Sequence, residues 1–455
     1  MTRTLEITAL PYMRTPLDYF ARLREREGAV LLDSGRPDGP GGRYDIISTD
    51  PLAELETDAR GRVQGNAPGL PECASPFHAQ QALLERLDTQ APDNCDLPFI
   101  GGLIGYWSYE MAHCLERIGN QAPAAADLPW SRVGLYDWAL IQDHERQITR
   151  LVATPSRRDQ VMAWLAKPAP EPAAFTLTGP FEAELDRHGY GERFRAVQRY
   201  IHAGDCYQIN LAQRFSASYE GNLWQAYLQL RQATPTPFAG YMSWSGKAIL
   251  SLSPERFLEA RNGHVETRPI KGTRPRSSDP SQDRELAHDL VRSTKDRAEN
   301  VMIVDLLRND LGRVCRPGSV HVPQLCELES YANVHHLVSV VRGELEAQQT
   351  PLDLLAAAFP GGSITGAPKV RAMQIIDELE PSQRSVYCGS LGYIDRRGHM
   401  DTSIAIRTAV ADRGKMHLWG GGGLVADSDE EAEYQETLAK IRHLMQALGS
   451  DARLS

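Results

Sequence analysis

"SLGYIDRRGHMDTSIAIRTAVADRGKMHLWGGGGLVADS", residues 390–428, reads as extended runs in succession, "SLGYID", "HMDTSIAIRTAV" and "KMHLWGGGGL", separated only by "RRG" and "ADRG". Strands joined by turns this short pair antiparallel, because a parallel return needs a crossover connection of a dozen or more residues. Upstream, "KAILSLSPERFLEA" (247–260) and "GHVETRPI" (263–270) extend the pattern. Helical periodicity marks "SQDRELAHDLVRSTKDRAENVMIVDLLRNDLG" (281–312), "APKVRAMQIIDELE" (367–380) and "EEAEYQETLAKIRHLMQAL" (430–448). The chain therefore reads as α/β of the α+β kind, with antiparallel sheets and helices outside.

Working toward the N-terminus, residues 1 to about 165 alternate short apolar runs such as "AVLLDSG", "RYDIIST" and "VGLYDWALIQD" with Gly, Pro and Asp turns, the signature of hairpins. "AKPAPEPAAFTLTGP" (166–180) is rich in Pro and Ala and lacks periodicity. A boundary near 180 divides the chain into regions 1–180 and 181–455.

Lys and Arg number 49 against 59 Asp and Glu, a net charge of −10, which argues against nucleic acid and anionic membrane surfaces as partners. Seven cysteines without a CxxC spacing suggest neither a disulfide framework nor a zinc site. No run approaches the ~20 apolar residues of a membrane span, so the expectation is a cytoplasmic protein.

Chemistry concentrates at a few points. In "TRPIKGTRPR" (267–276) Lys271 stands among three arginines. It is either part of a solvated basic loop or, with burial and neighbouring cations disfavouring the ammonium form, a neutral amine able to act as a nucleophile. "SLSPERF" places Glu255 sixteen residues earlier, where a folded-back strand would set a proton-transfer group beside it. On the last helix Glu433, Glu436 and Lys440 fall at i, i+3 and i+7 on one face. That face is a set of solvated charge pairs or, with Glu299 of a second acidic helix, a Mg²⁺ site of hard oxygen ligands. The glycines of "WGGGGLVADS" are expected to let backbone amides approach a bound anion at a strand-to-helix turn. "FPGGSITGAPK" (359–369) has the GxxxxG spacing of a phosphate loop, but Ala367 and Pro368 replace the Lys and Ser/Thr, so it reads as an anion-cradling turn that starts a helix. His335 and His336 in "VHHLVS" face opposite ways along a strand, and spacing alone does not say which of them faces a site.

Together "GDCYQINLAQRF", "SPERF", "RPIKGTRPR", "KDRAENVMIVDLLRND", "VHHLVS", "FPGGSITGAPKVRAMQIIDELEP", "GSLGYIDRRGHMDTSIAIRTA" and "GGGGLVADSDEEAEYQET" resemble the chorismate-utilising enzymes over essentially the whole chain. Two positions place it in the aminodeoxychorismate-forming branch. "PIKGT" resembles that branch, whose lysine forms a covalent intermediate, whereas anthranilate-type members look like "PIAGT". Gln208 stands where water-using members carry a lysine base, which points to ammonia as nucleophile. The resemblance implies two antiparallel sheets in an orthogonal sandwich. It also implies amination of chorismate to 4-amino-4-deoxychorismate in 4-aminobenzoate and folate biosynthesis, through a covalent bond to Lys271, with Glu255 as acid and base and His336 as the active-site histidine.

By the same resemblance Glu299 and Glu436 hold Mg²⁺, with Glu433 acting through water. Tyr387 and Arg407 hold the enolpyruvyl carboxylate, and Gln208, Thr365, Gly366, Gly421, Gly423 and Lys440 are further substrate contacts. Ser34, Gly41, Gly42, Arg43, Tyr44, Pro237, Phe238 and Ala239 resemble a tryptophan pocket; read on their own they are plain hairpin residues. No glutamine-hydrolysing Cys-His-Glu arrangement is visible, so the resemblance implies a separate glutaminase subunit (component 2) in a heterodimer. The alternatives are an anthranilate synthase component 1 and a non-catalytic tryptophan-binding subunit.

Overall fold

The run "HMDTSIAIRTAV" is not one strand. In the computed structural model it forms two, Met400–Ile404 and Thr408–Asp412, which belong to different sheets. Arg407, between them, has φ +50, a left-handed backbone conformation that cannot continue a ladder. "KAILSLSPERFLEA" breaks in the same way into Lys247–Ser253 and Arg256–Arg261 around Pro254, which has no N–H to give. The two broken runs are neighbours: Lys247–Ser253 pairs with Thr408–Asp412 in one sheet, and Arg256–Arg261 with Met400–Ile404 in the other. Two adjacent chains thus change sheets side by side, and Glu255 and Arg407 occupy the bends. Backbone bonds tie the bends together, Leu252 N–H to Arg407 O at 3.1 Å and Ile404 N–H to Glu255 O at 3.1 Å.

The structure describes residues 3–39, 41–67, 69, 75–92, 95–119, 122–330 and 334–450. Among these, the first sheet contains in spatial order the strands Gln208–Glu220, Lys415–Leu424, Thr408–Asp412, Lys247–Ser253, Phe238–Trp244, Val30–Asp33, Tyr44–Ser48, Ala139–Asp143, Ile148–Ala153 and Glu6–Leu10. The second contains Ile270–Pro275, Val334–Glu344, His264–Thr267, Arg256–Arg261, Met400–Ile404, Ser390–Asp395, Gly102–Trp107, Ser131–Tyr136 and Ala53–Thr57. These strands pair antiparallel. Strands from both sides of residue 180 enter both sheets, and the segment 166–180 adds a short strand, Thr176–Leu177, to the edge of the first. The sheets meet face to face: a Cβ on Gly240 in the first would lie 2.6 Å from Leu391 Cδ2 in the second. One continuous apolar core runs between them.

The long helical pattern at 281–312 is two helices, Pro280–Arg292 and Thr294–Gly312, divided at Ser293, whose hydroxyl accepts from Asp296 N–H as the cap of the second. The last helix, Glu430–Ala447, is capped by Asp429 and lies on the strand Lys415–Leu424. Its approach explains Gly420, where a Cβ would sit 2.1 Å from Thr437 O. The glycines of "WGGGG" therefore belong to the strand and not to a turn. Their strand pairs with Ile209–Gln213, and their lack of side chains gives the groups behind and above them room.

Candidate active site

A cavity of about 650 Å³ opens where the lysine-bearing edge strand Ile270–Pro275, the two bends, the glycine strand, the acidic helix Thr294–Gly312 and the last helix converge. Glu255, Lys271, His336, Tyr387, Arg407, Gly421, Gly423, Lys440, Glu299, Glu433 and Glu436 all line it. Residues as far apart in sequence as Glu255 and Lys440 meet there because each element delivers from one to three groups, the last helix giving Glu433, Glu436 and Lys440.

Lys271 Nζ donates to Ser363 O at 3.0 Å, and Ser363 Oγ donates to Glu255 Oε1 at 3.0 Å. Burial pushes the lysine down from its ordinary pKa against the pull of Glu299 and Glu255. Burial likewise pushes Glu255 up against the pull of Lys271, the Ser363 hydroxyl and Arg407. Both shifts favour the uncharged forms, so a proton passing from lysine to glutamate leaves a nucleophilic amine beside a carboxylic acid. The neighbouring arginines are not the cause. Arg268 pairs with Glu329, Arg274 with Asp289 and Asp296, and Arg276 with Asp283, so their charge is met by carboxylates of their own.

Three carboxylates face the amine. A Cβ on Gly422 would lie 3.0 Å from Glu433 Oε2 and 3.6 Å from Glu436 Oε1, so both acids overhang the glycine strand. Glu433 accepts from Ser428 Oγ at 2.7 Å, and Glu436 pairs with Lys440 at 2.6 Å. Burial raises the pKa of Glu299 and Glu433, with Glu433 adding to the cost of Glu299 and Glu436 to that of Glu433; Glu436 is lowered, its burial outweighed by Lys440 and the neighbouring lysines. Among the described residues no group of three or more His, Cys, Asp or Glu is placed to hold a metal ion by itself. An open set of carboxylates at a cavity wall suits Mg²⁺, which takes one or two protein carboxylates and keeps waters or substrate oxygens on its other positions.

Lys440 also donates to Gly421 O at 2.9 Å. Tyr387 stacks on Trp419 with ring centroids 6.0 Å apart, and a Cβ on Gly421 would lie 3.0 Å from its hydroxyl. Burial lowers the pKa of Arg407, with Glu255 the opposing charge; a guanidinium held so in a cavity wall is suited to a carboxylate ligand. Of the two histidines, His336 faces the cavity, with Thr273 Oγ1 at 3.0 Å from its Nδ1. Burial and Arg407 hold its pKa down to about 4, so it is neutral at neutral pH. His335 faces away to Ser330 and Asp283.

Gln208, Thr365 and Gly366 stand one layer behind the wall. The Gln208 side chain lies under Gly423, where a Cβ would come within 2.2 Å of its Nε2, and its Oε1 is buried without a hydrogen-bond partner. Thr365 is fully buried, its hydroxyl on Gly361 O at 3.0 Å, and Gly366 (φ +151) abuts Gln208 O. In front of them Asn210, Ser363 and Ile364 form the surface itself. The sequence reading missed Asn210, Ser363, Trp419, Lys295 and Asp296 as cavity residues. Asn210 was available from the alternation that follows Gln208, but the exposure of Ser363 depends on how its turn seats against other elements.

A second cavity, about 280 Å³, lies between the sheets. Gly42, Arg43, Tyr44, Pro237, Phe238 and Ala239 line it, together with Arg256, Glu259, Tyr393 and Asp401. Ser34 and Gly41 sit beside it, Ser34 donating to Asp45 Oδ1 at 2.6 Å and Gly41 packed on Pro237.

Residues 27–446 match the model of a family described as chorismate binding enzyme. The chain is 48% identical over 453 residues to the aminodeoxychorismate synthase component 1 of Salmonella typhimurium, covering 98% of this chain and 100% of that one. It is 36% identical over 476 residues to the anthranilate synthase component 1 of Geobacillus stearothermophilus, covering 96% and 92%. The crystal structure of anthranilate synthase component I from Streptococcus pneumoniae superposes with a TM-score of 0.79 at 31% identity, over 89% of this chain and 92% of that one. In fold, in sequence over nearly its whole length and in a cavity that gathers an amine, acids and an anion-seeking guanidinium, this chain belongs to the chorismate binding enzyme family.

Proposed function

We propose that this enzyme aminates chorismate to 4-amino-4-deoxychorismate, a precursor of 4-aminobenzoate and folate. The observation that carries the reading is Lys271, a half-buried amine hydrogen-bonded through one residue to a buried glutamate, in a cavity large enough for a small organic acid. A relative 48% identical over nearly the full length of both chains is named for this activity.

In the proposed mechanism Glu255 takes a proton from Lys271 and becomes the acid. The amine attacks C2 of chorismate while the C4 hydroxyl departs, and Glu255 protonates it to water. Glu255 then removes the proton from the new secondary ammonium. Ammonia attacks C4, the C2–N bond breaks, and the departing Lys271 nitrogen takes one proton from Glu255 and one from the incoming nitrogen, which restores the ammonium and the carboxylate. Two displacements split one difficult substitution into two easier ones and give retention at C4. Arg407 and Tyr387 would hold the enolpyruvyl carboxylate, and the neutral His336 would donate or accept a hydrogen bond without adding charge. Glu299 and Glu436, with Glu433 through water, would hold Mg²⁺, which when bound supplies positive charge to anchor the ring carboxylate. Ammonia would come from a glutaminase subunit, and the cavity between the sheets would take tryptophan.

The test is to incubate the protein with chorismate and Mg²⁺, without ammonia, and to map intact and peptide masses after rapid quench. The expected result is an adduct on the peptide carrying Lys271 that is absent from Lys271→Ala. An adduct elsewhere, or none on the wild type, would defeat the covalent route. The relatives named for anthranilate support a second reading, amination followed by loss of pyruvate; a product that has lost the enolpyruvyl group would favour it.

A further inference from the structure

Both members of the proton-transfer pair end on Ser363, which also forms part of the cavity surface. Its turn, Gly362–Ile364, is wedged between two elements of the site. A Cβ on Gly361 would lie 2.6 Å from Ile404 Cδ1, at the bend that carries Arg407, and one on Gly362 would lie 2.5 Å from Leu306 Cδ2, on the helix that carries Glu299. From behind, Arg384 donates to Ile364 O at 2.9 Å and Thr365 Oγ1 to Gly361 O at 3.0 Å. The turn cannot shift without moving those side chains, so Ser363 is held by the same parts that hold the acids and the guanidinium.

The two contacts of Ser363 differ in kind. Its carbonyl is acceptor only and receives an N–H from Lys271 whether that group is ammonium or amine, which leaves the lone pair of the amine directed away from the turn. Its hydroxyl can donate to an ionised carboxylate and, after rotating, accept from a protonated one. We propose that Ser363 is the positioning residue of the reaction: its carbonyl aims Lys271, and its hydroxyl accompanies Glu255 through both protonation states. This inference rests on the reading of Lys271 and Glu255 given above. The other groups facing Glu255 are Lys271 itself, Arg407 from the neighbouring bend, Cys388 and the backbone N–H of Ile270. Arg407 and the Ile270 N–H can only donate, the Cys388 thiol is a weak donor and a weak acceptor, and Lys271 is itself the partner in the proton transfer, whereas the Ser363 hydroxyl bonds either form of the carboxyl without joining the transfer.

The test is the pH profile of kcat/KM for chorismate with ammonium as co-substrate, for Ser363→Ala and Ser363→Thr, both of which keep the backbone carbonyl. Loss of the hydroxyl removes a donor that favours the ionised carboxyl, so in Ser363→Ala the acid limb should move up by about one pH unit. The KM for chorismate should stay within about twofold, since the residue acts through Glu255 and Lys271. Ser363→Thr should restore the acid limb. Ser363→Gly removes the same hydroxyl and serves if the alanine variant misfolds. A superimposable profile for the alanine variant, or an equal displacement for threonine, would overturn the inference. A wild-type protein inert toward chorismate and ammonium would refute the proposed reaction instead. In that case ¹³C NMR titration of glutamate Cδ, assigned with Glu255→Gln, still decides whether Ser363→Ala raises the midpoint of Glu255.

Discussion

Glu436→Gln separates the metal reading of the acidic cluster from a purely structural one. Glu436 and Lys440 are 2.6 Å apart at i, i+4, with side chains 50% and 44% exposed. A helix pair of that exposure contributes about 0.3–0.5 kcal/mol. Glu436 also repels Glu433, which offsets part of that gain. Replacing it with an isosteric amide should therefore change the metal-free stability by less than about 1 kcal/mol, a shift in melting temperature below the ~2–4 °C that such a change gives in shorter chains. With Mg²⁺ the outcome differs. A ligand at a hundred times its Kd stabilises by about 2.7 kcal/mol, and a tenfold loss of affinity at that concentration halves the gain to about 1.4 kcal/mol. The assay is differential scanning calorimetry of wild type and variant with and without MgCl₂, followed by turnover against Mg²⁺ concentration. Turnover of the variant should vanish at low Mg²⁺ and return in part at high Mg²⁺. Equal Mg²⁺-induced shifts in both proteins, together with equal Mg²⁺ dependence of turnover, would refute the assignment.

Arg384→Met should cost about 3–5 kcal/mol, because Arg384, 1% exposed, bonds both oxygens of Glu380 as well as Ile364 O and Asn210 O, and its loss leaves a buried carboxylate unpaired; urea denaturation reads it. Burial lowers His336, His417 and His443 to about 4, while the unfolded chain titrates near 6.5, so between those values the unfolded state binds more protons and stability must fall as pH falls. The raised carboxyls Glu255, Glu299 and Glu433 act with the opposite sign just above the ordinary carboxylate range, so His417→Gln, which should flatten the slope between pH 6.5 and 4 in thermal melts, isolates the histidine part. Glutamine should not support product formation by the isolated chain, whereas ammonium at alkaline pH should; glutamine-dependent product from pure protein would reveal a hydrolytic site within it. Denatured protein should release tryptophan detectable by chromatography, and Gly42→Val, whose Cβ would press within 2.8 Å of Pro237 O, should abolish that release.

Much of the site could be read from residue type and spacing, because helix faces are local. Glu433, Glu436 and Lys440 share a face through periodicity alone, and Glu255 and Lys271 stood out by chemistry. What could not be read was where strands change sheets. Arg407 reads as an unremarkable position in an alternating run until its left-handed backbone is seen, and Pro254 alone does not say that the chain will bend into the other sheet. Of the two causes expected from sequence for the lysine's shift, burial acts and the adjacent arginines do not, because Arg274 and Arg276 find carboxylate partners on the two helices that follow them. The glycine strand was read as a cradle of amides, since sequence cannot tell a glycine freed for a ligand from one cleared for a helix backbone, as at Gly420.

The bends that carry Glu255 and Arg407 have a counterpart. Tyr44–Ser48 leads from the first sheet to Ala53–Thr57 in the second, and Ser131–Tyr136 returns to Ala139–Asp143 beside it. A serine staples each corner: Ser253 Oγ reaches Ile404 O at 2.6 Å, and Ser48 Oγ reaches Trp138 O at 2.7 Å. The second corner is stoppered, with Trp138 fully buried and its indole N–H on Thr49 O at 2.8 Å. The first is left hollow. A catalytic group at a stapled corner belongs to both sheets, whereas Lys271 hangs from the edge of only one.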